Sequence, residues 1–427
     1  MSDTKIYCQK IVCKSYSKNR TQEFELGFSN GRFVDVKNLK NPRVLNFKNL
    51  TVVPGLVDLC VQMRDQNSEC RATFASETIA AISGGVTTLL AMPNNFPIID
   101  SPGNVKLMLD TAKSLKHCSI LVAGSATLGA KGRQITEMYR LMRSGCIALM
   151  QGYPGFSSSQ TALNAMLYAK GLSIPLILQS INSDLSQGVA HDGHIASNLG
   201  LTLMSPLCET LAIGHDLELA EVTGCQIHFQ KITCEQSVKK IREAKRNGLK
   251  ISADVSLAHL LFNEKNLSNL DPIFHLSQPL RTIEDQNALL EGILDGTIDA
   301  IVSDHNPRDA RAKLTPFAES QPGMNLIETF LPALFFLANE KKLDIQKLIS
   351  AVTKNPANAL NIEAGEITPG YPANFVLIDL DNETEIKEDN RISTGVNNPL
   401  FGVTLPSKII STWSYGRKVW PLDSKII

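Results

Sequence analysis

Pro54-Gly55-Leu56-Val57-Asp58-Leu59-Cys60-Val61-Gln62-Met63-Arg64 starts on a turn pair and runs through a mostly apolar stretch before turning polar. A short apolar run bounded by a turn signal reads as a buried strand, here Leu56 to Val61. Seven more such runs follow it, at Val86 to Ala91, Ile120 to Ala123, Cys146 to Leu149, Pro175 to Gln179, Gln226 to Phe229, Lys250 to Val255 and Ala300 to Ser303. Helical patterns alternate with them. Eight strands and eight helices in alternation imply an α/β fold, a parallel sheet closed into a (β/α)8 TIM-type barrel, with any chemistry at the strand C-termini. In one intervening helix Thr233 and Gln236 suit a capping box, Cys234, Val238 and Ile241 share a face, and Gly248 stops the pattern. Its Lys239, Lys240, Arg242, Lys245 and Arg246 read as a solvated outer face.

Strand-like texture also flanks the barrel. Glu23-Phe24-Glu25-Leu26-Gly27-Phe28 leads through an Asn30-Gly31 turn into Arg32-Phe33-Val34-Asp35-Val36, a hairpin pattern. Similar stretches return at Ala373 to Asp379, Ile409 to Trp413 and Val419-Trp420. Both ends are expected to build one small composite β-sandwich domain, residues 1–52 and 366–427, beside a barrel of residues 53–365. A length of 427 residues suits two units, because single cores stop growing near roughly 250–300 residues. The 42 basic and 42 acidic side chains cancel, which argues against nucleic acid or an anionic membrane as partner. No run approaches the ~20 apolar residues of a membrane span, Met1 to Lys5 lacks a signal-peptide core, and the nine cysteines are irregularly spaced. Reduced cysteines and a cytoplasmic location are expected.

The Pro54 to Arg64 frame resembles the first strand of the amidohydrolase superfamily, and of dihydroorotases in particular, whose pattern is Pro-Gly-Leu-Val-Asp-x-His-x-His-x-Arg. The likeness continues at Gly84-Gly85-Val86-Thr87-Thr88, Met92-Pro93-Asn94-Asn95, Asp304-His305-Asn306-Pro307, Gly323-Met324-Asn325-Leu326-Ile327-Glu328-Thr329 and Asn355-Pro356-Ala357, so it covers almost the whole chain. It implies a catalytic metal that lowers the pKa of bound water. Measured against that pattern, Cys60 and Gln62 replace two histidines, the bridging anion's place falls at Met150 and Gln151, Gln179 replaces a histidine after strand five, and Lys231 holds the ligand position in His228-Phe229-Gln230-Lys231-Ile232-Thr233-Cys234. Asp304 alone is kept. The expectation is therefore no metal and no other cofactor. Two readings of Lys231 stand side by side: its ammonium fills the metal's place beside Asp304, since a buried carboxylate needs a cation or a proton, or it extends to water.

Arg64 and Asn94 match the residues that hold the substrate carboxylate in dihydroorotases; alternatively Arg64 pairs with an acidic neighbour and Asn94 caps a turn. The segment Ser277-Gln278-Pro279-Leu280-Arg281 lacks the family's asparagine, and Arg308 replaces the second histidine of the motif begun by His305. His228, His259 and His305 read as hydrogen-bonding within the fold. No nucleophile elbow, P-loop or dinucleotide fingerprint is present, and Cys60 is either a nucleophile activated by Lys231 or an inert packing residue. The resemblance is closest to inactive dihydroorotase-like proteins of bacterial pyrimidine synthesis, which associate with the catalytic chain of aspartate carbamoyltransferase. It implies an oligomeric, non-catalytic assembly subunit in which Asp304, His305, Arg64 and Asn94 are vestiges. Two further readings remain: an active amidohydrolase with a rebuilt mononuclear site of Cys60, Asp304 and His305, or a module sensing dihydroorotate or a related carboxylate through Arg64 and Asn94.

Overall fold

The computed structural model describes residues 9–17, 20–62, 72–95 and 97–422. Four strands come first: β1 (Gln9–Ser17), β2 (Arg20–Ser29), β3 (Arg32–Val34) and β4 (Arg43–Pro54). Asn30 and Gly31 both take positive φ (51° and 77°), the geometry of a tight hairpin turn that matches strand twist. β3 stops sooner than its sequence suggests because the Asp35 side chain accepts from the Lys37 amide at 2.9 Å and starts a turn of 3-10 helix.

The barrel strands are β5 (Leu56–Val61), β6 (Val86–Ala91), β7 (Ser119–Ser125), β8 (Ala148–Gln151) and β9 (Leu176–Leu178), followed, after a two-strand excursion of β10 (Ala190–His191) and β11 (Leu203–Met204), by β12 (Ile227–Phe229), β13 (Ile251–Ser256) and β14 (Ala300–Val302). All eight lie parallel to their neighbours in chain order. Helices α1 (Phe74–Ser83), α2 (Pro102–Leu115), α3 (Met138–Ser144) and α4 (Ser159–Leu172) follow β5 to β8 in turn. The short α5 (His194–Asn198) belongs to the excursion, and α6 (Leu207–Thr223), α7 (Glu235–Arg246), α8 (Leu257–Leu261) and α9 (Ile283–Asp295) continue the alternation. α10 (Phe330–Lys341), α11 (Ile345–Ala351) and α12 (Lys354–Ala359) come after β14. None of the described helices is long and apolar enough to cross a membrane.

Two local expectations are corrected. β8 lies two residues later than its apolar pattern, so Gln151 ends the strand. α7 starts after Cys234 with no side-chain cap, because the buried Glu209 carboxylate draws the Thr233 amide (2.9 Å) and hydroxyl (2.6 Å) away from the helix.

The ladder does not run on from β14 to β5. Asp58 closes this seam instead: its carboxylate accepts from the Cys60 amide at 3.1 Å, the Ser303 amide at 3.3 Å and the Ser303 hydroxyl. Just beyond it, the Gln62 amide donates to the His305 carbonyl at 2.9 Å. Burial pushes the Asp58 carboxyl up to about 7, with these bonds opposing it. Close approach explains two glycines of the sequence frame, since a β-carbon at Gly55 would sit 2.2 Å from Thr87 Oγ1 and one at Gly84 1.8 Å from the Ile327 carbonyl oxygen.

After the barrel, β15 (Phe375–Glu385), β16 (Thr404–Ser414) and β17 (Arg417–Trp420) join the first four strands in one seven-stranded sheet, ordered β17-β16-β15-β4-β1-β2-β3. β4 and β15 pair antiparallel from Pro54 opposite Phe375 to Thr51 opposite Ile378. The sheet curls into a sandwich: Phe28 on β2 lies 5.9 Å, ring to ring, from Trp413 on β16. Phe33 of β3 likewise meets Phe375 of β15 at 6.1 Å. Each such buried aromatic contributes roughly 1.5–3 kcal/mol.

Candidate functional site

At the C-terminal ends of the barrel strands, three of the positions singled out in the sequence come together. Lys231 follows β12 and Asp304 follows β14; the Lys231 ammonium donates to Asp304 Oδ1 at 3.1 Å, and the Cys60 thiol, from β5, donates to the same oxygen at 3.5 Å. The side chains of Lys231 and Asp304 are only 4 % and 14 % exposed, so the reading in which Lys231 extends to water does not hold. Both residues have left-handed backbone, φ 56° and 49°, a conformation that side chains other than glycine adopt only when the surroundings enforce it. Part of that enforcement is Asp254, whose Oδ1 accepts from the Lys231 amide at 2.6 Å while its Oδ2 faces His228 Nε2 at 2.9 Å. Burial, the largest single influence, would lower the Lys231 pKa, but the charge and hydrogen bond of Asp304 together with other nearby acidic groups such as Asp254 outweigh it and hold the ammonium above its ordinary value. Burial pushes the Cys60 thiol well above the usual range in spite of Lys231. Cys60 is a packing thiol and not an activated nucleophile.

The other positions do not converge with this pair. Gln151 is consumed locally: Oε1 accepts from the Thr127 hydroxyl at 2.7 Å, and Nε2 donates to the Ala130 and Gly152 carbonyls. Gln179 lines a neighbouring cavity of about 680 Å³ on the β8 and β9 side of the mouth. Asn94 is exposed, and Arg64 lies outside the described residues. Arg308 donates to the Gln321 side chain at 2.6 Å and the Pro322 carbonyl at 3.0 Å. His305 Nε2 is spent on Glu77 Oε2 at 2.7 Å. Glu77 is a residue that the sequence reading missed; it also accepts from the hydroxyls of Ser76, Ser393 and Thr394. Burial opposes its charge, yet the His305 bond and the hydroxyls win and its carboxyl is lowered.

A metal centre of the kind the resemblance implies needs several anionic or imidazole donors converging on one point. Cys60 is protonated, Gln62, Gln151 and Gln179 are neutral amides, and an ammonium stands beside the retained carboxylate. Among the described residues no three of His, Cys, Asp and Glu converge on a point that could hold an ion. The described residues do not fit a metal, and among them the arrangement of Cys60, Asp304 and His305 as a rebuilt mononuclear site is not formed, since His305 Nε2 is bonded to Glu77.

His259, on α8, faces the Ser256 hydroxyl at 2.9 Å and the Pro279 carbonyl at 3.3 Å, and His275 faces the Ser320 hydroxyl at 2.8 Å. Burial pushes both down to about 4. Below the ordinary value of about 6.5 the unfolded chain takes up protons that the fold refuses. Stability is therefore full above pH 6.5 and is lost as pH falls towards 4, by up to about 3 kcal/mol per histidine. The Asp58 carboxyl, raised to about 7, takes up its proton in the same window and acts with the opposite sign, so the readout is the difference between variants: in thermal melts across that window His275→Gln should lose up to about 3 kcal/mol less than the parent.

Residues 51–419 match the Amidohydrolase family, and the chain belongs to it. Among its relatives are the dihydroorotase of Anoxybacillus flavithermus, 35 % identical over 86 % of this chain and 87 % of that one, and the dihydroorotase-like protein of Pseudomonas aeruginosa, 34 % identical over the same shares. The solved L-hydantoinase (dihydropyrimidinase) of Arthrobacter aurescens superposes with a TM-score of 0.83 at 19 % identity, covering 97 % of this chain and 96 % of that one, and shows the same fold. These findings correct the expectation that the chain is not an enzyme, because that expectation conflicts with a family whose relatives are named for catalysis. Its physical weakness is visible in the site. Losing metal ligands removes one source of charge, but Lys231 and Asp304 keep a cation and a carboxylate together at the same strand ends.

Proposed function

We propose that the chain is a dihydroorotase-type cyclic amidohydrolase that handles a dihydropyrimidine, or its ring-opened carbamoyl amino acid, through Lys231 and Asp304. The observation that carries this reading is a set of buried polar atoms for which the fold provides no partner: Gln230 Oε1, Asn95 Nδ2 and His305 Nδ1. Gln230 Nε2 lies 3.8 Å from the Met92 sulfur, and the Asn95 backbone N–H faces the Met92 carbonyl at 3.5 Å. Each such orphan costs ~1–3 kcal/mol, and folded proteins retain few. A free carbonyl acceptor and a free amide donor are what the –NH–CO– edge of a cyclic amide would satisfy.

The bond to Asp304 uses one of the three ammonium donors of Lys231. The other two suit a substrate carbonyl or carboxylate oxygen. Ring opening would place water against the ring carbonyl, with Asp304 taking its proton and returning it to the departing ring nitrogen, and ring closure would run the reverse. Lys231 would stabilise the oxygen on which charge develops. Arg64 and Asn94 enter the proposal as groups for the substrate carboxylate. Association with the catalytic chain of aspartate carbamoyltransferase enters it on the sequence resemblance alone.

The test is turnover of dihydroorotate and of carbamoyl aspartate, with and without a chelator. Slow turnover indifferent to chelation and reduced about 10²–10⁴-fold in Asp304→Asn is expected, the contribution of a positioned acid–base group. Absence of turnover in both directions, or turnover that requires added zinc, would overturn it.

A further inference from the structure

Away from Lys231 and Asp304, the 680 Å³ cavity beside β8 and β9 is lined by a chain of hydrogen-bonded side chains that the proposed reaction does not use. Ser159 is the first residue of α4, and its hydroxyl lies 2.9 Å from His215 Nε2 on α6. The other ring nitrogen, Nδ1, faces Asp216 Oδ1 at 3.1 Å, and Asp216 Oδ2 accepts from the Ser180 hydroxyl at 2.7 Å. Asp216 is 8 % exposed, whereas Ser159 and His215 are open to the cavity. Nucleophile, base and a buried carboxylate that orients the base stand in sequence, each within hydrogen-bond reach of the next.

We infer that Ser159, His215 and Asp216 form a second, acyl-transfer centre that accepts small esters with a negatively charged acyl group. With Nδ1–H donated to Asp216, Nε2 is the lone pair that receives the Ser159 proton. Thr161, in the first turn of α4, gives its amide to Ser158 Oγ at 3.2 Å. Among the described residues the amides of Ser159 and Gln160 have no such partner, and they are the donors for the oxygen of a tetrahedral intermediate. Lys131 and Arg133 line the cavity, whose acids are Asp184 and the Asp216 already bonded to His215 and Ser180, and this sets the preference for an anionic acyl group.

In the reaction, Ser159 Oγ bonds to the acyl carbon as its proton passes to His215 Nε2. The bond from that carbon to the alcohol oxygen breaks, and the alcohol leaves with the proton. Water then repeats the sequence, releasing the acid and restoring Ser159. The same hydrogen bonds also clip α4 to α6, and reactivity distinguishes the two roles.

Incubating the full chain with a fluorophosphonate and mapping the adduct by peptide mass spectrometry should place one label on Ser159. Labelling should slow about 10²–10⁴-fold in His215→Ala, the contribution of a general base, and p-nitrophenyl hemisuccinate should be cleaved faster than p-nitrophenyl acetate until Arg133→Ala removes the difference. Should His215→Ala fail to fold, Ser159→Ala, at an exposed helix start, must abolish the label. No label, a label on another serine, or an unchanged rate in His215→Ala would overturn the inference and leave the bonds as a clip. The label is read without cyclic-amide turnover, so its outcome is independent of the function proposed above.

Discussion

Lys231→Met should lower the unfolding free energy by about 3–5 kcal/mol, the cost of leaving a buried charge without its partner. The ammonium is the only basic side chain paired with Asp304 among the described residues, and both groups are largely withdrawn from water. Without it, Asp304 must take up a proton or remain an uncompensated charge. Lys231→Met combined with Asp304→Leu should recover most of the loss, because well-packed apolar groups often replace a buried pair at little cost. Urea titration of both variants and the parent reads the difference. A surface ion pair would show less than about 1 kcal/mol, so a small effect in the single variant would mean that Lys231 reaches solvent. The coupling between the two substitutions measures the pair itself.

Glu77→Ala should cost a similar amount, about 3–5 kcal/mol, for a different reason. Its carboxylate takes His305 Nε2 at 2.7 Å, the Ser393 hydroxyl at 2.6 Å and both the amide and the hydroxyl of Thr394. Removing it strands several buried donors at once, at ~1–3 kcal/mol each before relaxation. Glu328 holds the adjoining amides of Ile392 and Ser393 at 2.6 and 2.9 Å, so the segment would loosen without detaching. Denaturation should report the loss, and limited proteolysis should find faster cleavage between residues 388 and 397. Unaltered cleavage there would show that Glu328 alone secures the segment.

The barrel was legible because strands buried on both faces write themselves as apolar runs, and β5 and β6 fall where those runs do. β8 was misplaced because its last residue is Gln151, a polar side chain that Thr127 satisfies inside the barrel, which no local pattern signals. The meeting of Lys231 with Asp304 was one of two readings, raised because the family pattern puts Lys231 in a metal ligand's place; charge alone does not decide between a buried pair and a solvated ammonium. The partner of His305 was not foreseeable, since Glu77 lies 228 positions away and only the packing of α1 brings it there. Asp58 looks like part of a catalytic motif and serves as the bolt of the barrel seam. Counting lost ligands told whether a metal could be held; it could not tell whether other groups take over, and there the expectation of a non-enzyme failed. Ser159, His215 and Asp216 gave no motif because their order depends on α4 lying against α6.

The pairing of β4 with β15 also sets a timetable for synthesis. Pro54 finds its partner Phe375 only after 375 − 54 = 321 further residues, which at ribosomal speeds of about 5–20 residues per second is a wait on the order of 15–60 s. During that interval one edge of β4, with Val52 and Val53 that end up buried, is an unsatisfied template open to other nascent chains. Late pairing of this edge makes β4 the strand most in need of cover while the rest of the chain is made.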